Sequence, residues 1–116
     1  DNTAMAKEIV ISTDADPKSS KYFVWQMDEQ EAEQVKEAIG DMDLNFPLLS
    51  TLSDYHEDFL CEGERLLGLM QETVELEMNL EEHHRETKTL VKLLTMIGGL
   101  AALSHDHKLG VYAYGD

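Results

Sequence analysis

Leu90-Val91-Lys92-Leu93-Leu94-Thr95-Met96-Ile97-Gly98-Gly99-Leu100-Ala101-Ala102-Leu103 is apolar on nearly every side when wound into a helix. An element of that kind has to be covered all round, so the run predicts the central helix of the domain, packed between a sheet and a second helix. Gly98 and Gly99 each cost about 1 kcal/mol relative to Ala inside a helix, so a kink or a close backbone contact is expected there. Lys92, Thr95 and the glycine pair also interrupt the run, which falls short of the roughly 20 apolar residues of a bilayer span. No basic segment followed by an apolar run opens the chain, so neither signal peptide nor membrane partner is expected.

Downstream, Ser104-His105-Asp106-His107-Lys108 is a polar exit, and Leu109-Gly110-Val111-Tyr112-Ala113-Tyr114 alternates as a strand. At the other end, Glu8-Ile9-Val10-Ile11-Ser12-Thr13 and Tyr22-Phe23-Val24-Trp25-Gln26-Met27 are β-rich runs. The turn formers of residues 14–20 separate them, a connection that favours an antiparallel hairpin, which the last strand should join. Asp14 and Asp16 do not open a calcium loop, because the positions that need Gly and Glu hold Ser19 and Trp25.

Between hairpin and central helix the pattern is helical. Asp28 and Glu31 have capping-box spacing, and Ala32, Val35, Ile39 and Met42 form one stripe, with Gly40 a candidate left-handed terminus. After Asn45-Phe46-Pro47, the residues Leu52, Tyr55, Phe59, Leu66, Leu67, Met70 and Val74 predict a long amphipathic helix. Residues 73–80 alternate with period two, which leaves a strand open, but Glu, Leu and Met favour helix. Asn79 and Glu82 form another capping pair, so a break is expected near Asn79. The expectation is an α+β fold: a single domain, residues 5–116, of order β-β-α-α-α-β, with a small, mainly antiparallel sheet covered by helices. Met5 reads as the native start and residues 1–4 as an added remnant.

The 116 residues carry 9 Lys and Arg against 24 Asp and Glu, a net charge of −15. That charge repels phosphate backbones and anionic headgroups, which removes nucleic-acid and lipid-surface functions. One cysteine, Cys61, rules out an internal disulfide and a thiolate zinc site, and suits a reducing cytoplasm.

Candidate chemistry is sparse. Glu81-x-x-His84 has the spacing of one half of a di-iron motif, but the second half is missing, and His105-x-His107 is explained equally by a polar helix exit. Glu81, His84, His105 and His107 are the ligand set of an alternative, metal-binding or metal-sensing protein, which only a second chain could close. Cys61 is placed opposite Leu52, Phe59 and Met70, near Asp54, Glu57 and Glu64, where negative neighbours disfavour a thiolate. There is no nucleophile elbow and no phosphate-cradling loop, so no enzyme, no cofactor and no metal is expected.

The more informative feature is Glu29, Glu33, Glu37 and Asp41, acidic residues at intervals of four opposite the apolar stripe. Each such like-charge pair costs roughly 0.2–0.5 kcal/mol, so no fold needs the row. A face kept repulsive suits a basic partner that neutralises it. The function expected is a small acidic cytoplasmic binding protein of bacterial type, an accessory, inhibitor or immunity-like factor docking on a basic protein surface. A structural homo-oligomer, with Tyr22–Trp25 or Tyr112–Tyr114 as an exposed sheet edge, is the third reading, which makes a homodimer an alternative assembly.

Overall fold

The computed structural model describes residues 6–42, 45–82 and 87–115. Two strands, β1 (Ala6–Ser12) and β2 (Lys21–Asp28), lead into helices α1 (Glu29–Gly40) and α2 (Pro47–Leu52). A short strand β3 (Phe59–Cys61), helices α3 (Glu64–Glu82) and α4 (Lys88–Asp106), and strand β4 (Gly110–Ala113) complete the order. The sheet is wholly antiparallel, in the order β2-β1-β4-β3. The last strand does join the N-terminal hairpin, and the α+β class follows.

Alternation along the strands sorts the sheet into two faces. Ile9 and Ile11 of β1, Met27 of β2, Phe59 and Cys61 of β3, and Val111 and Ala113 of β4 enter one apolar core with the helices. On the other face Val24, Val10, Tyr112 and Leu60 stand in register as a row across all four strands. Tyr112 lies along its own strand over Gly110 and donates to the Glu62 carboxylate, while Tyr114 donates 2.6 Å to the Ala15 carbonyl, tying down the turn after β1. A Cβ on Gly110 would collide with the Tyr112 hydroxyl, so glycine there makes room for the ring.

Residues 73–80 are helical, as Glu, Leu and Met dictated, but the predicted break at Asn79 is absent. α3 runs on to Glu82, Asn79 donates to the Glu75 carbonyl within it, and Thr87 caps α4 by accepting from Leu90. The long helix foreseen from Leu52 is also divided. The chain leaves α2 at Ser53, and Phe59 and Cys61 belong to β3, whose three residues pair with β4. Gly63 then takes the left-handed conformation at φ 58° that starts α3 one residue later, whereas Gly40 ends α1 as an ordinary helical residue followed by Asp41 in right-handed geometry.

The central helix is only partly enclosed. Leu90, Leu93, Leu94, Ile97, Leu100 and Ala101 are buried, but Met96 and Leu103 remain 40% and 49% exposed. Gly98 carries the close contact its composition implied, because a Cβ there would stand 2.8 Å from Thr73 Oγ1 of α3, while Gly99 faces open space. No helix among the described residues is long and apolar enough to cross a membrane.

Candidate docking face

The α1 face is built from its first turn. Asp28 Oδ1 accepts from the Glu31 amide at 2.8 Å, and Glu31 Oε1 accepts from the Asp28 amide at 2.9 Å, a complete capping box that fixes where the helix begins. Ala32, Val35 and Ala38 are then buried, with Ile39 and Met42 packed at the margin of the core. That placement leaves Glu29, Glu33, Glu37 and Asp41 on the exposed side. Among the described residues, Glu29, Glu33 and Glu37 form no ion pair, and Lys36 on the same helix does not reach them.

Residues four apart advance by about 40° around a helix, so the row spirals rather than running straight. It runs from one flank of the buried stripe at Glu29, across the solvent side at Glu33 and Glu37, to the other flank at Asp41. There Glu37 and Asp41 join Gln34, Ala38, Met42, Leu80, Thr87 and Leu90 around a cleft of about 190 Å³ between α1 and the α3–α4 pair. Ala38, Met42, Leu80 and Leu90 give it apolar walls, and Gln34, Thr87 and the two carboxylates make up its polar part. Such a cleft suits the aliphatic stem of a Lys or Arg with its cationic head at the rim. Helix electrostatics do not explain these acids, because the C-terminus of α1 is already negative, lacks any basic residue in its last turn, and carries Glu37 and Asp41 there.

The alternative metal set is not brought together. His84 lies outside the described residues. Glu81 sits at the end of α3, and α4 begins at Lys88 rather than near Asn79, so a helix of 19 residues, about 28 Å long, separates that end from His105. His105 and His107 line different clefts: His105 stands beside Glu62, Lys108 and Tyr112, and 3.8 Å from Glu64, whereas His107 stands beside Ile11, Tyr22 and Leu103. No group of three metal-ligating side chains occurs among the described residues.

Cys61 is placed differently from the sequence reading. It shares the core face of β3 with Phe59 and is fully buried, so its thiol pKa rises to about 11 chiefly because burial disfavours the thiolate. Glu72 and Glu62 push in the same direction and Arg65 opposes them, but these are the lesser influences. The acidic neighbours invoked from sequence follow from a helix that does not exist at that point.

Of the aromatic segments proposed as a sheet edge, Tyr112–Tyr114 is corrected, since β4 lies between β1 and β3. Tyr22–Trp25 does lie on an edge, β2. Beside it, Trp25, Glu31, Val91, Lys92 and Met96 help line a groove of about 620 Å³ between β2 and α4, a feature sequence reasoning missed. Its only sequence signal was the surplus of apolar residues on α4 beyond what one stripe requires. The chain matches no known protein family, no curated protein and no solved structure.

Proposed function

We propose that the chain is a binding protein of the inhibitor or immunity-like kind that docks the acidic face of α1 on a basic protein surface, working in the cytoplasm. The observation that carries this reading is the continuation of the exposed Glu29, Glu33, Glu37 and Asp41 row into the cleft rimmed by Glu37 and Asp41. The row supplies long-range attraction for a positive patch, and the cleft supplies a socket for one basic side chain. The setting rests on the single, buried thiol of Cys61 and on the net charge of −15.

Parallel capture with the wild-type chain and with Glu33→Lys/Glu37→Lys tests it. A basic protein retained by the first, lost by the second and released by raised salt supports the reading. Recovery of the same proteins by both baits overturns it.

A further inference from the structure

The cleft at the end of the acidic row holds a group that its own chain does not satisfy. Gln34 lines it together with Glu37 and Asp41, and among the described residues the buried Oε1 of Gln34 accepts no hydrogen bond. An acceptor buried without a donor is a standing cost to the fold, so each such group asks for a reason.

The sequence of α1 shows why no donor arrives from within. Gln34, Glu37 and Asp41 stand three and seven residues apart and so share one flank of the helix, with Ala38 between them. That helix has no basic residue in its last turn. Across the cleft, α3 and α4 contribute Leu80, Leu90 and Thr87, and the Thr87 hydroxyl oxygen already accepts from the Leu90 amide as the cap of α4. Acceptors therefore outnumber donors around this space.

An occupant has to bring the donors. The carboxylates of Glu37 and Asp41 favour a cation, and the apolar walls favour one carried on an aliphatic stem, which both lysine and arginine offer. Gln34 separates the two. It lies one turn from Glu37, about 4.5 Å along the axis, a spacing that a planar guanidinium can bridge with its fork of five N–H donors. An ammonium is a compact, strongly hydrated point charge that gives up more on leaving water for a neutral amide.

We infer that the cleft is an arginine socket, in which a guanidinium from a basic partner protein inserts beside Glu37 and Asp41 and donates to Gln34 Oε1. The inference rests on the reading of α1 as a docking face and adds the side chain that the partner must present. At about 190 Å³ the cleft has room for a guanidinium and the methylenes behind it rather than for a folded segment. Arg85 lies between Leu80 and Thr87 in sequence, outside the described residues, and is the rival occupant from within the chain.

Titration of the full chain by two-dimensional NMR with N-acetylarginine amide and, separately, N-acetyllysine amide, each up to about 50 mM at constant ionic strength, tests the socket. The arginine probe should saturate, shift the amides of Gln34, Ala38, Leu80 and Leu90 most, and bind about fivefold more tightly than the lysine probe. Gln34→Met keeps the length of the side chain and removes the acceptor. It should weaken the arginine probe about fivefold, leave the lysine probe within about twofold, and leave the melting temperature unchanged or raised, whereas a glutamine with only a structural role would lose stability and not selectivity. Equal affinity for the two probes, binding of neither, a Gln34→Met variant that takes arginine as the wild type does, or arginine binding that emerges only in Arg85→Gln overturns the socket. Each of those results leaves the charge-reversal capture as it stands, because that experiment reads the acidic row and not the guanidinium. Capture indifferent to Glu33→Lys/Glu37→Lys removes the docking face itself, whatever the probes do.

Discussion

The Lys7 ammonium of β1 donates a 3.1 Å hydrogen bond to the Leu52 carbonyl at the end of α2, 45 residues away. It also donates to the carbonyls of Thr51 at 3.2 Å and Asp54 at 2.7 Å, and the residue is 3% exposed. A cation at a helix C-terminus answers both the unpaired carbonyls and the negative end of the dipole. Burial lowers the Lys7 pKa, and the carboxylates of Asp54, Asp58 and Glu57 oppose that shift by favouring the charged form.

Lys7→Met should destabilise the fold by about 1.5–3 kcal/mol, since it removes charge-assisted bonds and leaves buried carbonyls unpaired. Lys18→Met, on the exposed turn, is the control and should stay within about 0.5 kcal/mol. Urea titrations of the two variants check this, and equal midpoints would show that Lys7 is no anchor.

Glu72 performs the opposite task at the other end of α2. Its carboxylate accepts from the amides of Leu48 and Leu49 at 3.2 and 2.9 Å, in a helix whose N-cap, Phe46, offers no side-chain acceptor. Glu72→Ala should therefore cost about 1–3 kcal/mol. Burial is the largest influence on the carboxyl and raises its pKa above 4.5, with the two amides pulling it back. A carboxyl raised on folding contributes stability that is complete below 4.5 and is lost as pH rises through its folded value. Wild type should thus gain on Glu72→Gln as pH falls from neutrality to 4.5, which parallel melts across that range would read. A difference that is flat, or that grows in favour of the variant, contradicts the assignment.

Both of those anchors show why parts of the fold were hidden in the sequence. Periodicity exposed β1, β2, α1, α4 and β4, because each buries a face whose repeat fits its own geometry. It failed at residues 52–66, where Leu52, Tyr55, Phe59 and Leu66 fall by coincidence on a helical stripe although they belong to a helix end, a turn, a strand and the next helix. β3 is three residues long, too short to display alternation, and forms because β4 offers a partner. The acidic row of α1 was legible since it depends on one helix. The cleft at its end was not, because Leu80, Thr87 and Leu90 reach it from elements whose packing no local pattern records.

Gly98 and Gly99 are neighbours that should respond in opposite directions to the same substitution. A Cβ on Gly98 would stand 2.8 Å from Thr73 Oγ1, which itself donates 2.7 Å to the Met70 carbonyl and so cannot yield freely. Gly98→Ala should cost about 1–3 kcal/mol as overpacking. Gly99→Ala meets nothing within 4 Å and should stabilise by about 0.5–1 kcal/mol through helix propensity. Thermal melts of the pair decide it, and the α3–α4 contact is misassigned if both move the same way.

Self-repulsion sets the salt response. With −15 spread over 116 residues and few cations to pair with, moderate salt should raise the melting temperature, because screening at about 0.15 M shortens the reach of exposed charges to roughly 8 Å. A melting temperature that is flat or falls between low and moderate salt would mean the acids are already compensated within the fold.

The acidic row allows stability and function to be set against each other in one variant. Glu33→Lys/Glu37→Lys places cations four residues from Glu29 and Asp41, where they can form helix pairs each worth about 0.2–0.5 kcal/mol. Glu37→Lys also puts a cation in the last turn of α1, which has none. The free chain should therefore be as stable as wild type or slightly more so. Association with a basic partner should slow and its rate should lose much of its salt dependence, since steering acts before contact and scales with the charges that face each other. Stopped-flow association rates at several salt concentrations, with melts of the free variant, read both halves. A stabilised variant that binds at the wild-type rate with the same salt slope would leave the row a solvated face and move the search for the partner's footprint to another surface.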